Sequence, residues 1–390
     1  MCVKKKRALI THYHCHVDPQ SGDAIRLRDL SETLAEHGWE VRVFCGPSSG
    51  REMSSDELLD EQGIQFKKYS ATNSDVPFEL LMFRAFGVNC GLWAPQMPHS
   101  ASESDVREAW LYSCRELIET WKPNHVIMHG LFAMSEPVMT MATQVGATRI
   151  ACYDTSLSTS EDLYADADIT LATSSHQRRR LHHGLRQDSL LLDPLLPVRR
   201  YSCDVNERRE SFLTFVEPQT KGIWIYAKIA EVLQYRRPDI PLLIVGDQNV
   251  PAYLESTGAR ISTQRLTFLR QHTITKEYLN ETRLLLAPSV AGDTCNPIVS
   301  AAIANGIPVI GSNRGTLSEV IGDAGLSLNL PNQFTLESCE LPSLADISSW
   351  LEAIVLLWDD REARKQLGQS GQGRSRQWSV KPLLERLESL

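Results

Sequence analysis

Residues 287–310 read APSVAGDTCNPIVSAAIANGIPVI, and the fold can be worked out from this stretch. It spells a strand end, a polar loop, a short apolar helix, a glycine stop and a second strand. Asn296 is a helix-capping residue type, Pro297 suits the first helical position, where an N–H has no helical partner, and Gly306 suits the exit. A helix that starts at the carboxyl end of a strand presents free N–H groups and partial positive charge there, a setting that receives phosphate. Pro297 has no N–H, so the candidate backbone donors are its neighbours Thr294, Cys295, Asn296 and Ile298. The stretch also reads as an ordinary α/β turn.

The same alternation extends on both sides. Residues 212–216, 242–245, 266–269, 283–287 and 309–311 read as strands, with a helix over 222–233. Towards the N-terminus, 8–11, 40–44, 125–128, 148–153 and 169–172 read as strands. Leu27, Leu30, Leu34 and Ala35 make a helix of 25–37, stopped by Gly38. Between 191 and 210 the pattern lapses into Pro194, Pro197, Arg199, Arg200 and a charged run ending at Glu210, which reads as a linker. Residues 346–358 and 361–367 are helical, and a further helix over 378–390 follows a Gly/Ser/Arg-rich joint. The fold class is α/β, with two Rossmann-like doubly wound domains over 1–200 and 201–375 and a C-terminal helix over 376–390. Residues 83–97, rich in Gly, Trp and other aromatics, either line a groove or pack.

A chain of 390 residues is long enough for two cores, and 42% apolar with 23% charged residues is ordinary for a globular protein. No apolar run approaches the ~18–20 residues of a membrane span, so no integral membrane segment is expected. A net charge of -8 argues against a nucleic-acid partner. The nine cysteines are scattered, without Cys-x-x-Cys or zinc spacing, and read as free thiols of a cytoplasmic protein with no metal site.

Four other features bear chemistry. Lys221, after the strand end Phe215-Val216-Glu217-Pro218 and before Gly222, can neutralise a phosphate as a point charge, or can be a solvated surface lysine. His129 ends the strand Val126-Ile127-Met128 and is either a charge-stabilising group or a structural histidine. His12, His14 and His16 alternate after the first strand, which suggests one face lining a cleft. The basic run 177–183 can touch anionic lipid or an acidic acceptor, or form a solvated helix face.

Ser21-Gly22-Asp23, Phe215-Val216-Glu217-Pro218 with Lys221-Gly222, and Pro288-Ser289 leading to Ala304-Asn305-Gly306-Ile307-Pro308-Val309 together resemble glycosyltransferase family 4. Ser312-Asn313-Arg314-Gly315 and Ser318 to Gly325 extend the likeness. The resemblance implies the GT-B fold, two facing Rossmann-like domains with a central cleft, the first taking the acceptor and the second the nucleotide sugar. It also implies that the last helix crosses back to the N-terminal domain, and that transfer retains anomeric configuration without a bound metal. By the same likeness Lys221 is the phosphate-binding lysine, Gly22 belongs to a glycine loop whose backbone approaches the leaving diphosphate, and His129 faces the donor sugar. The family's two glutamates, eight positions apart, fall on Asp293, a conservative change that stays near the sugar, and on Ala301, a loss of the ribose contact. The arginine that usually precedes the lysine is missing, because the loop is shorter.

The expected activity is therefore metal-independent, retaining transfer of a hexose from a UDP- or GDP-type sugar. The acceptor is an unidentified hydroxyl on a sugar, lipid-linked or small molecule, and no further cofactor is needed. His129, Asp293 and Lys221 are the catalytic candidates. Ala301 and the missing arginine motivate a second reading, a non-catalytic GT-B protein that binds a nucleotide or glycan as a partner subunit. Hydride transfer is disfavoured because no Gly-x-Gly-x-x-Gly follows the first strand.

Overall fold

The computed structural model describes residues 6–19, 21–48, 53–73, 76–96, 102–129, 134–152, 167–185, 188–204, 206, 208–216, 222–272, 274–290, 297–335, 337–338 and 340–389. The chain divides into two compact units, Met1–Leu195 with Val380–Leu390, and Leu196–Ser379.

The first unit runs β1 (Arg7–His14), α1 (Gly22–Glu36), β2 (Glu40–Ser48), α2 (Ser55–Glu61), β3 (Phe66–Asn73), β4 (Val76–Ala85), β5 (Val88–Pro95), α3 (Glu103–Trp121), β6 (His125–His129), α4 (Ser135–Gln144), β7 (Thr148–Cys152), β8 (Ile169–Ala172), α5 (Ser175–Leu185) and β9 (Leu190–Leu191). Among the described residues its sheet has the order β3-β4-β5-β2-β1-β6-β7-β8-β9. Successive residues of β1 bury on opposite faces, Ala8 and Ile10 in one core layer and Leu9 in the other, as a parallel strand covered on both sides requires. The C-terminal helix Lys381–Glu388 belongs to this unit. Its Leu383 and Leu387 join the first layer, and His125 Nε2–H donates to the Leu387 carbonyl at 2.9 Å.

The edge of this sheet corrects the sequence reading, which left 83–97 without a strand. β3, β4 and β5 form an antiparallel meander, with Trp93 of β5 fully buried and stacked on Phe78 of β4. The hairpin between β4 and β5 turns on Phe86 at φ 52° and Gly87 at φ 86°, two consecutive positive values of the kind a two-residue hairpin turn needs. Phe-Gly lacks the Asn-Gly signature of such turns, so the pattern alone does not reveal it.

The second unit runs α6 (Val198–Tyr201), β10 (Phe212–Val216), α7 (Ile223–Arg236), β11 (Leu242–Gly246), α8 (Val250–Ser256), β12 (Leu266–Arg270), α9 (Lys276–Glu281), β13 (Thr282–Ala287), α10 (Pro297–Ala304), β14 (Val309–Ser312), α11 (Leu317–Ile321), β15 (Gly325–Leu328), α12 (Ser348–Asp359) and α13 (Arg361–Ser375). Its described strands are all parallel in the order β12-β11-β10-β13-β14-β15, the 3-2-1-4-5-6 order of the dinucleotide-binding fold. The segment read as a linker is packed. Arg200 is fully buried and its carbonyl accepts from Thr275 Oγ1 at 3.0 Å, while the Cys203 N–H donates to Asn305 Oδ1 at 2.8 Å.

The Gly/Ser/Arg-rich joint of the sequence reading is also corrected, because it is the second half of α13. Its glycines serve helix contact: a Cβ on Gly368 would lie 2.5 Å from the Gly306 carbonyl oxygen, and one on Gly371 3.0 Å from that of Ile303. Gly368→Ala is therefore expected to lower stability by about 1–3 kcal/mol through overpacking. Gly373→Ala, with nothing within 4 Å of the added carbon, is expected to raise it by about 0.5–1 kcal/mol by helix propensity. Urea denaturation of the two variants checks the contrast.

The described cysteines 15, 45, 90, 114, 152 and 203 are unbridged. Burial pushes the Cys15, Cys114 and Cys152 thiols up to about 12. Among the described residues, no helix is long and apolar enough to cross a membrane.

Candidate functional site

In each sheet the parallel strands reverse their direction of winding at one place, and in open α/β sheets ligands bind beyond the carboxyl ends of the strands at such a reversal. In the first unit this is between β1, flanked by β2, and β6, flanked by β7. In the second it is between β10, flanked by β11, and β13, flanked by β14.

At the first reversal, β6 ends on His129, which is 3% exposed. α1 begins opposite, its start fixed by the Ser21 hydroxyl, which accepts from the Ala24 N–H at 3.2 Å. Asp23 Oδ1 is bound by Arg26 Nη2 at 2.6 Å and lies 3.4 Å from His129 Nε2. Burial pushes this carboxyl up, but the charges of His129 and Arg26 outweigh it and hold Asp23 below the usual carboxylate range. Gly22 is the first helical residue, exposed, with nothing within 4 Å of an added Cβ. No described neighbour demands a glycine there, and the helix start is open to an incoming group.

The histidine trio departs from the expectation of a lining face. His14 is half-buried, whereas His12 and His16 are sealed inside at 0% and 1% exposure. His12 Nε2 and His16 Nδ1 are 3.2 Å apart, and His16 Nε2 lies 3.4 Å from Ser31 Oγ of α1, so the pair fastens β1 to α1. Burial first, then the charges of His16, His129, His14 and Arg28, hold His12 well below its ordinary 6.5. His12 is thus harder to protonate folded than unfolded, so its contribution is complete above pH 6.5 and is lost as pH falls below that value. The unfolding free energy from urea denaturation is expected to decline across that acid window by up to about 1.4 kcal/mol per pH unit. His12→Asn flattens this part of the profile.

At the second reversal, Gly222 caps α7 with φ 101°, a conformation that favours glycine. A Cβ there would overlap the carbonyl oxygen of Pro288, the residue after β13. This contact brings the entry of α7 against the exit of β13, while Ser312 Oγ at the end of β14 donates to the Ser289 carbonyl at 2.6 Å. α10 starts at Pro297 as the sequence suggests. Ile298 is 1% exposed with its side chain in the core, so only its backbone can serve a ligand. Ala301 is fully buried in the same layer. Asn305 acts structurally, its Nδ2 donating to the Tyr201 and Ala301 carbonyls at 2.8 Å each. Lys221, Asp293, Thr294, Cys295 and Asn296 lie outside the described residues.

The structure thus brings Gly22 and His129 to one reversal and Gly222, Ser289 and Ile298 to the other. It adds Asp23 and Arg26, which the sequence reading did not select. The available signal was an aspartate in the first turn beside Gly22. Asp168, in contrast, is structural, gripping Arg149 through Oδ1 to Nη2 at 2.8 Å and Oδ2 to Nε at 3.1 Å.

Residues 212–341 match the family model "Glycosyl transferases group 1". Curated protein sequences contain no match to the chain. Among solved structures, the chain is similar to sucrose-phosphate synthase from Thermosynechococcus elongatus, at 14% identity and TM-score 0.64, over 99% of this chain and 98% of that one. It is similar to HepE of Anabaena in complex with UDP and glucose, at 12% identity and TM-score 0.67, over 98% and 99%. It is also similar to WaaG, a glycosyltransferase involved in lipopolysaccharide biosynthesis, at 15% identity and TM-score 0.59, over 97% and 98%. The fold is GT-B, as the sequence motifs led us to expect.

Proposed function

We propose that this chain is a retaining glycosyltransferase that moves a hexose from a nucleoside diphosphate sugar to a hydroxyl acceptor. The observation that carries the reading is the position of the winding reversal inside the family match. The matched residues 212–341 span β10 to β15, and the two motif stretches follow in sequence on β10 and β13, the strands on either side of the reversal. A solved structure of this fold holds UDP and glucose, which supports a nucleotide-sugar donor.

In this reading Lys221 and the backbone N–H groups of Thr294, Cys295, Asn296 and Ile298 hold the diphosphate, and Asp293 holds the donor sugar. Gly22 leaves the start of α1 open to the leaving group. His129, oriented by Asp23 at 3.4 Å, stabilises charge as the anomeric C–O bond breaks. The bonding pair leaves on the diphosphate oxygen, the acceptor oxygen bonds the same carbon, and its proton passes to the departing diphosphate. Fixed cationic and N–H groups aimed at developing charge supply the rate enhancement. Because Lys221 supplies the positive charge, turnover is expected to persist in excess EDTA. The unbridged thiols favour a cytoplasmic setting.

Ala301, buried where the family has its second glutamate, favours the competing reading of a GT-B protein that binds without transferring. Thermal stability against UDP, GDP and their sugars tests donor binding, since a ligand at ~100 times its Kd adds about 2.7 kcal/mol. A rise confined to one nucleotide names the donor. A flat response across the panel contradicts a nucleotide-sugar site.

A further inference from the structure

The second unit has a pocket at the amino end of its sheet, opposite the edge where the motif loops leave. It is about 250 Å³ and is walled by Arg208, Arg283, Arg361, Arg364 and Lys365, with Glu210 the one acid among them. The five-residue β10 separates the two edges by ~16 Å. Five cations facing one carboxylate are unexpected in a chain of net charge -8, and such a concentration of one sign attracts an anion.

Helix capping, an ion pair of Arg208 Nη2 with Glu210 Oε1 at 3.2 Å and the Arg283 guanidinium 4.4 Å from the Trp358 ring centre account for part of the cluster. Arg208 Nη1 donates to the Asn305 carbonyl at 3.0 Å, Arg283 Nη2 to that of Trp358 at 2.9 Å, and Arg364 Nη1 to those of Leu357 and Trp358 at 2.7 Å each. Much is left over. The Nε–H groups of Arg208 and Arg283 are buried with no hydrogen-bond partner. Arg361 and Lys365 make no ion pair or hydrogen bond with any described residue. Arg361, Arg364 and Lys365 also stand on one face at the start of α13, where like charges at i,i+4 repel and the helix dipole disfavours cations. Asp360 at the cap, Glu362 in the first turn and Glu210 across the pocket offset part of that arrangement, and a dianion would offset the rest. Guanidinium forks match phosphate oxygens two at a time. The volume lies below the ~300–1,000 Å³ of sites for drug-sized ligands and suits a phosphate with at most a short carbon skeleton.

We propose that this pocket binds a small phosphate-bearing anion, independently of the nucleotide-sugar site. The test is thermal stability and calorimetric titration of the full chain with inorganic phosphate and with glucose 6-phosphate, chloride holding ionic strength constant. Saturable binding is expected, weakened about tenfold or more in Arg361→Glu/Lys365→Glu and retained in Lys221→Ala. The tighter of the two anions tells free phosphate from a sugar phosphate. Neither replaced side chain has a described partner and acids suit a helix start, so the double variant should melt at or above the wild-type temperature in chloride; if it melts lower, Arg361→Gln/Lys365→Gln replaces it. The proposal is overturned if neither anion binds, if the double variant binds as tightly as wild type, or if only Lys221→Ala abolishes binding. The last result would place the anion at the nucleotide-sugar site.

Discussion

Lys221→Ala is expected to lower kcat/KM for the nucleotide sugar by about 10²–10³-fold, as loss of one preorganised charge-stabilising group does. Lys221 follows the strand β10 and directly precedes Gly222, the cap of α7. A lysine before the α7 cap has a charge to offer a departing diphosphate, and the denaturation midpoint is expected to stay close to wild type. Lys221→Arg keeps the charge with a different shape and should recover part of the rate. Steady-state kinetics with the donor identified by stabilisation measure both. An unchanged kcat/KM in Lys221→Ala removes this residue from the site.

Gly222→Ala should instead damage fold and function together. The residue sits at φ 101°, and its missing Cβ is what lets the α7 cap lie against the Pro288 carbonyl. Left-handed backbone costs an alanine about 1–2 kcal/mol, and forcing the two segments apart adds about 1–3 kcal/mol. Because the displaced segments flank both motif loops, donor affinity should fall with stability. Gly258→Ala, also at positive φ but with open space around the added carbon, should show the backbone cost alone. Equal losses in the two variants would mean that the Pro288 contact is unimportant.

The parts of the fold legible in the sequence are those with buried parallel strands. Phe212–Val216 and Ile169–Ala172 are short, wholly apolar or β-branched, and bounded by polar loops, so their limits agree with the reading. β15 escaped because Gly-Leu-Ser-Leu is brief and half polar, and the meander because β3 is exposed along most of its length. α3 carries a local signal of its own, Ser102 and Asp105 forming a reciprocal cap three positions apart. The α13 glycines misled, since glycine for close helix contact and glycine for a joint look alike until the neighbour is known.

The candidate site divides along the same line. His129 and Gly22 can be singled out as candidates from the sequence because each borders a strand or helix end that the pattern marks. The Asp23 to His129 pairing and the sealed His12 to His16 pair depend on which strands lie side by side, and sequence spacing does not carry that information. The phosphate-sized basic pocket was invisible for the same reason, its arginines coming from three separated segments.

The most direct measurement is release of nucleoside diphosphate from UDP- and GDP-sugars by the purified chain, with and without a panel of hydroxyl acceptors. The account predicts slow release of one nucleotide without acceptor, faster release with a suitable one, and near-total loss in Lys221→Ala. No release from any donor under either condition, by a folded protein that binds the nucleotide, would contradict glycosyl transfer and favour a binding role.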